Sequence, residues 1–162
     1  MHSVLNMIHV SGAVLWGGAA LYAALFLTPA ANAAGDAAGP FMGALVRGRL
    51  IPFMTAASSL TVASGLWLWI RRFGDSMPTG FTGVAIGIGA LAGITALLIA
   101  LFRLLPTARA VRSLVMEMSS AGGPPSSDQL GKMGMLRTRM TSTGNLLAVV
   151  VAVALIGMGL GG

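Results

Sequence analysis

The stretch Val4-Leu-Asn-Met-Ile-His9-Val-Ser-Gly-Ala-Val-Leu-Trp16-Gly-Gly-Ala-Ala-Leu-Tyr-Ala-Ala-Leu-Phe-Leu27 contains no Asp, Glu, Lys or Arg. As a helix rising 1.5 Å per residue it is about 36 Å long, enough to cross a hydrocarbon core of roughly 30 Å. Three further apolar runs follow, at 50–70, 81–105 and 143–162. None shows the period-two alternation of a barrel strand, so a transmembrane β-barrel is excluded. The sequence predicts an all-α integral membrane four-helix bundle, a single domain over residues 1–162, with spans at about 4–27, 50–70, 81–105 and 143–162.

Composition agrees. Hydrophobic residues make up 56% of the chain and charged residues 9%, with a mean hydropathy of +0.85. Soluble domains carry about a quarter charged residues. There is no cysteine, which excludes disulfides, thiolate metal sites and iron–sulfur clusters. The N-terminus lacks a basic n-region and its apolar run is too long for a signal peptide, so a retained first span is expected. The net charge of +6 does not signal nucleic acid, because the basic residues flank apolar runs.

Those flanking charges predict an orientation. Arg47 and Arg49 lie in the first connection; Arg103, Arg109, Arg112, Lys132, Arg137 and Arg139 lie around the third. Only Arg71 and Arg72 face them from the other side. The positive-inside rule makes the first and third connections cytoplasmic and puts both termini outside. A bacterial-type inner membrane is the expected location, with anionic lipid as partner of the cytoplasmic arginines. Trp67 and Trp69 fall at the outer face, where an aromatic belt belongs.

Local signals refine the helices. Thr28-Pro29 is read as ending the first. Gly39-Pro40 reads as a helix start, so helix two is expected to begin near Pro40 and kink at Pro52. Thr107 to Ser119 continues helix three beyond Pro106. Gly122-Gly-Pro-Pro125 is a breaker, and Ser126-Ser-Asp-Gln129 reads as a capping box opening a long helix four from about Ser127. The long helices are expected to project into the cytoplasm. Gly83-x-x-x-Gly87 and Gly89-x-x-x-Gly93 allow close helix approach, within the bundle or in a homodimer. The sequence shows no internal repeat.

His9 is the prime site candidate, because an ionisable residue inside a span is costly and marks function by default. Residues seven apart share a helix face, so His2, His9 and Trp16 align, with Gly12 and Gly17 leaving room beside them. Such a face suits a flat macrocycle, and neutral imidazole is a strong haem ligand. Met158 lies at comparable depth on helix four and is the candidate second ligand; His2 reaches only a metal near the surface. Arg71 and Arg72 are placed to pair with propionates. The alternative for each is structural: a packed histidine, and arginines that flank a span. Eleven methionines invite copper, yet the tight pairs Met116-x-Met118 and Met133-x-Met135 diverge on a helix. Ser58, Thr61 and Gly65 share a face of helix two, as interhelical donors or bonded back to their own helix. The spans hold no carboxylate, which argues against a carboxylate-coupled transporter.

The run Leu5-Asn-Met-Ile-His9-Val-Ser-Gly-Ala-Val-Leu-Trp16-Gly-Gly18 resembles the first helix of copper-resistance D membrane proteins, and is similar to that of HemJ-type proteins. The likeness extends loosely to Arg47-Gly-Arg49, Thr61-x-x-x-Gly65 and Arg137-x-Arg139. It implies that His9 ligates haem or copper. Three functions follow as expectations. One is a haem b protein for electron transfer or porphyrin-linked oxidation. Another is a copper-handling permease or accessory protein. The third is a cofactor-free, non-catalytic subunit or assembly factor of a larger membrane complex.

Overall fold

The computed structural model describes the whole chain except Met1, Asp75, Met77, Pro78 and Gly162; the side chains of His2 and Asp36 also lie outside the described residues. It is all-helical. Helix α1 spans Ser3–Ala34, α2 Gly39–Arg47, α3 Leu50–Phe73, α4 Gly80–Ser120 and α5 Ser127–Gly161. Four of these, all but α2, are long and apolar enough to cross a membrane. At 41 and 35 residues, α4 and α5 are about 60 and 50 Å long, well beyond the roughly 30 Å a bilayer core requires.

Proline did not end the first helix. In α1 the segment Ala23–Leu27 widens into a π turn, in which the Thr28 N–H bonds the Ala23 carbonyl five residues back, and the helix then carries Pro29 on to Ala34. A proline ring lacks an N–H and crowds the carbonyl four residues earlier. The extra residue in the wide turn relieves that clash. The same device recurs in α4, where Ala100–Leu104 is a π turn, the Leu105 N–H bonds the Ala100 carbonyl, and Pro106 follows.

The second expected helix is split. Pro40 does sit in the first turn of α2, but α2 stops at Arg47, and Gly48 with extended backbone separates it from α3. Pro52 is therefore no kink: it occupies the first turn of α3, where its missing N–H leaves no gap. The bundle thus has four long helices and one short one.

The start of α5 matches its sequence signal. The Gln129 N–H donates to Ser126 Oγ (3.2 Å), and the Ser126 N–H donates to Gln129 Oε1 (3.0 Å), a reciprocal capping box. Ser126→Ala is expected to cost about 1 kcal/mol of local stability. Faster amide exchange at Gln129 with unchanged exchange in the α5 core would confirm it. Asp128 and Lys132 add an exposed ion pair of 2.8 Å, worth little by itself.

The interior holds small residues and the exterior large ones. Ser58, Thr61, Ser64, Thr107 and Thr143 are buried, while Phe102, Leu91, Val149 and Ile156 are well exposed. This inversion suits a surface that meets lipid, where helices pack through small side chains. Buried hydroxyls bond back to their own helix: Thr61 Oγ1 donates to the Ala57 carbonyl (2.7 Å), Ser58 Oγ to the Thr55 carbonyl (2.9 Å) and Thr107 Oγ1 to the Arg103 carbonyl (2.7 Å). Trp16, Ala57, Ala96, Leu147 and Val151, drawn from all four long helices, form the central core.

Pairing reveals a repeat that residue types conceal. Helix α1 packs along α3, α4 packs along α5, and the two hairpins join where α1 meets α5. Gly12 and Gly89, the π turns starting at Ala23 and Ala100, and Pro29 and Pro106 are each separated by 77 positions. Gly12 lies against Thr61 of α3, and Gly89 against Met158 of α5. The second hairpin repeats the first. The symmetry breaks at one seam. Gly17 lets α1 approach Val151 and Leu155 of α5. Its counterpart, 77 positions on, is the bulky Ile94, and there α3 and α4 touch only sparsely.

Candidate functional site

The seam that fails to close is a cleft of about 1200 Å³. It lies among the first half of α1, the second half of α3, the first half of α4 and the last turns of α5, toward the Arg71–Arg72 end. Ligand pockets commonly measure about 300–1,000 Å³, so this one is large. Its walls are mostly apolar, and its polar groups are few: Ser3, Asn6, His9, Thr61, Trp69 and Arg72.

His9 is held in one orientation. Its Nδ1 lies 2.8 Å from the carbonyl oxygen of Thr61 across the α1–α3 seam. A carbonyl only accepts, so Nδ1 carries the proton, and in the neutral ring Nε2 keeps its lone pair. The ring rests on Gly65, where a Cβ would come within 2.6 Å of Cε1 and 3.0 Å of Nδ1. Thr61 and Gly65 therefore act as one receptor, the first through its carbonyl and the second through its missing side chain. Ser64 Oγ also donates to the Thr61 carbonyl (3.0 Å) and to that of Leu60 (2.6 Å).

Of the residues singled out from the sequence, His9, Trp16, Arg72 and Met158 line this cleft together. Trp16, 5% exposed, forms its floor as part of the core. Met158 packs over Gly89, with Cγ 3.1 Å from where a Cβ on that glycine would stand. Arg72 sits at the rim, its guanidinium carbon 5.6 Å from the Phe73 ring centroid. Arg71 is not a lining residue: it stacks on Trp67 at 5.3 Å, and both side chains are exposed. The His2 side chain is outside the described residues.

Two of the lining residues that the sequence did not assign to the site bear on its shape. Trp69, read from the sequence as belt, reaches across the gap, its Cη2 3.9 Å from the position of a Cβ on Gly87. Its periodicity carried the signal, since Trp69 lies one helical turn from Gly65 and two from Thr61 while Trp67 lies off that face. Ile86 is the other, and only the repeat marks it. Of the GxxxG pairs, Gly83 and Gly89 are buried and Gly87 and Gly93 half-buried, and all but Gly83 line the cleft.

The pair Met133 and Met135 diverges as its spacing implies. Met135 is 69% exposed while Met133 is half-buried, as expected for neighbours that diverge on a helix. Among the described residues, no three His, Cys, Asp or Glu side chains gather as metal ligands. Compared with known protein families, curated proteins and solved structures, the chain finds no match.

Proposed function

We propose that this chain is a haem b-binding integral membrane protein of the redox class, serving electron transfer or porphyrin-linked oxidation. The observation that carries the reading is the state of His9: Nδ1–H tied to the Thr61 carbonyl, Nε2 left with its lone pair, in a large apolar cleft. Metal-ligating histidines characteristically anchor the far ring nitrogen in this way, which fixes tautomer and orientation. Haem would supply the redox chemistry once bound. His9 holds its iron, Trp16 and the small residues of α4 shape the apolar walls, and Arg72 at the rim pairs with an acidic edge group.

The reading includes an orientation. All seven arginines at 47, 49, 103, 109, 112, 137 and 139 are exposed, and among the described residues the only ion pair is Lys132–Asp128. Uncompensated surface arginines suit a cytoplasmic leaflet rich in anionic lipid, in a bacterial-type inner membrane. The cleft then opens on the outer half, beside both termini.

Absorption spectroscopy of the detergent-extracted protein, expressed with haem supply, tests the function. A Soret band at about one haem per chain is expected, lost in His9→Ala. A wild-type protein that stays colourless, or a His9→Ala protein with an undiminished band, overturns the proposal. Metal analysis of the same samples separates haem iron from copper.

A further inference from the structure

The two hairpins give the second one a position equivalent to His9. Seventy-seven residues on from His9 stands Ile86, just as Gly89 follows Gly12 and Pro106 follows Pro29. The surroundings match as well. His9 packs on Gly65 of α3, and Ile86 packs on Gly161 of α5, its Cδ1 3.1 Å from where a Cβ would lie. Both side chains line the one cleft. The first hairpin thus offers a nitrogen donor with a carbonyl to orient it, and the second offers a hydrocarbon in the same slot.

The remaining lining groups narrow the coordination further. Only Met158 among the other described lining residues has a donor that haem iron accepts. Its side chain lies along Gly89, filling the groove that this glycine opens between α4 and α5. The space it fills is part of the tightest seam in the molecule, where Gly157 sits against the backbone of Ala85 and Gly89. Met158 thus packs on Gly89 through its backbone and Cγ while it lines the cleft. Gly87, Ala90 and Gly93 of α4, by contrast, present almost no side chain to the cleft.

We propose that the cleft is a one-ligand haem site: His9 would be the one protein ligand to the iron, and, with a hydrocarbon at Ile86 where the first hairpin has its histidine, a coordination position would be left for a small exogenous ligand. This rests on the haem reading above and deepens it, because an open position equips the site to bind a reactant as well as to pass electrons. Carbon monoxide serves as the probe. The dithionite-reduced, haem-loaded protein is expected to have a five-coordinate, high-spin spectrum and to shift its Soret band on exposure to CO. Met158→Leu and His2→Ala are each expected to leave that spectrum and the CO shift unchanged. A haem-loaded Ile86→His protein is expected to become six-coordinate and low-spin, with CO uptake suppressed.

The results separate the two proposals. A wild type that binds no haem overturns the function itself. A wild type that binds haem but is six-coordinate and inert to CO overturns only the open position. The same holds if a low-spin spectrum is lost in Met158→Leu or in His2→Ala, which would name the second ligand. A loaded Ile86→His protein that remains high-spin overturns the equivalence of positions 9 and 86.

Discussion

A Gly157→Leu protein is expected to lose about 3 kcal/mol or more of stability. A Cβ at position 157 would stand 2.8 Å from the Ala85 carbonyl oxygen and 2.8 Å from the Gly89 nitrogen. These are backbone atoms of α4, so no rotamer change relieves the clash. Either α4 and α5 separate along their length, or the local helix bends. Both outcomes expose the core around Ala96 and Val151, which are almost fully buried. Gly144→Leu in the same helix is the control, because nothing lies within 4 Å of a Cβ there. It should stay within about 0.5 kcal/mol of wild type. Denaturant or thermal unfolding in detergent measures both. Equal stability of the two variants would show that the α4–α5 seam is not as close as described.

Gly65→Ala is expected to weaken haem binding by about 10- to 100-fold while leaving the fold intact. One methyl group is enough, because it would come within 2.6 Å of His9 Cε1. The imidazole must then swing off α3 and release the Thr61 carbonyl. Thr61 loses little by this, since Ser64 Oγ still donates to its carbonyl. His9 loses the contact that fixes its tautomer and ring orientation. Gly18→Ala, on α1 outside the cleft, has nothing within 4 Å of its added Cβ and should titrate like wild type. Haem titration of the three proteins, followed at the Soret maximum, makes the comparison. If Gly65→Ala binds as tightly as wild type, the Thr61–Gly65 receptor is not what positions His9.

Much of the site was readable because helix periodicity is rigid. His9 and Trp16 share a face whatever the tertiary structure, and so do Thr61 and Gly65. The capping box at Ser126 was equally plain, since its hydrogen bonds close within four residues. Pro29 misled for a physical reason, which Pro106 shares. Pro29 and Pro106 are helix breakers only if the turn before them stays α, and a π turn removes the conflict at the expense of one residue. No local propensity announces that choice. Nor does local sequence distinguish Arg71 from Arg72. Adjacent residues on a helix point about 100° apart, and which of them meets the cleft depends on how α3 is rotated in the bundle.

The chain by itself determined its four long apolar helices, the placement of its charges toward the ends of the apolar runs or beyond them, and the solitary histidine within the first. Those follow from hydropathy and length, which act along the chain and need no partner. Tertiary structure alone decided that the second hairpin repeats the first, that Gly17 closes one seam while Ile94 keeps the equivalent seam open, and that His9 donates to Thr61 across α1 and α3. Each of these is a contact between residues more than twenty positions apart or the want of one. Such contacts turn on fractions of an ångström in helix approach, and a Cβ present or absent on a distant helix sets that distance.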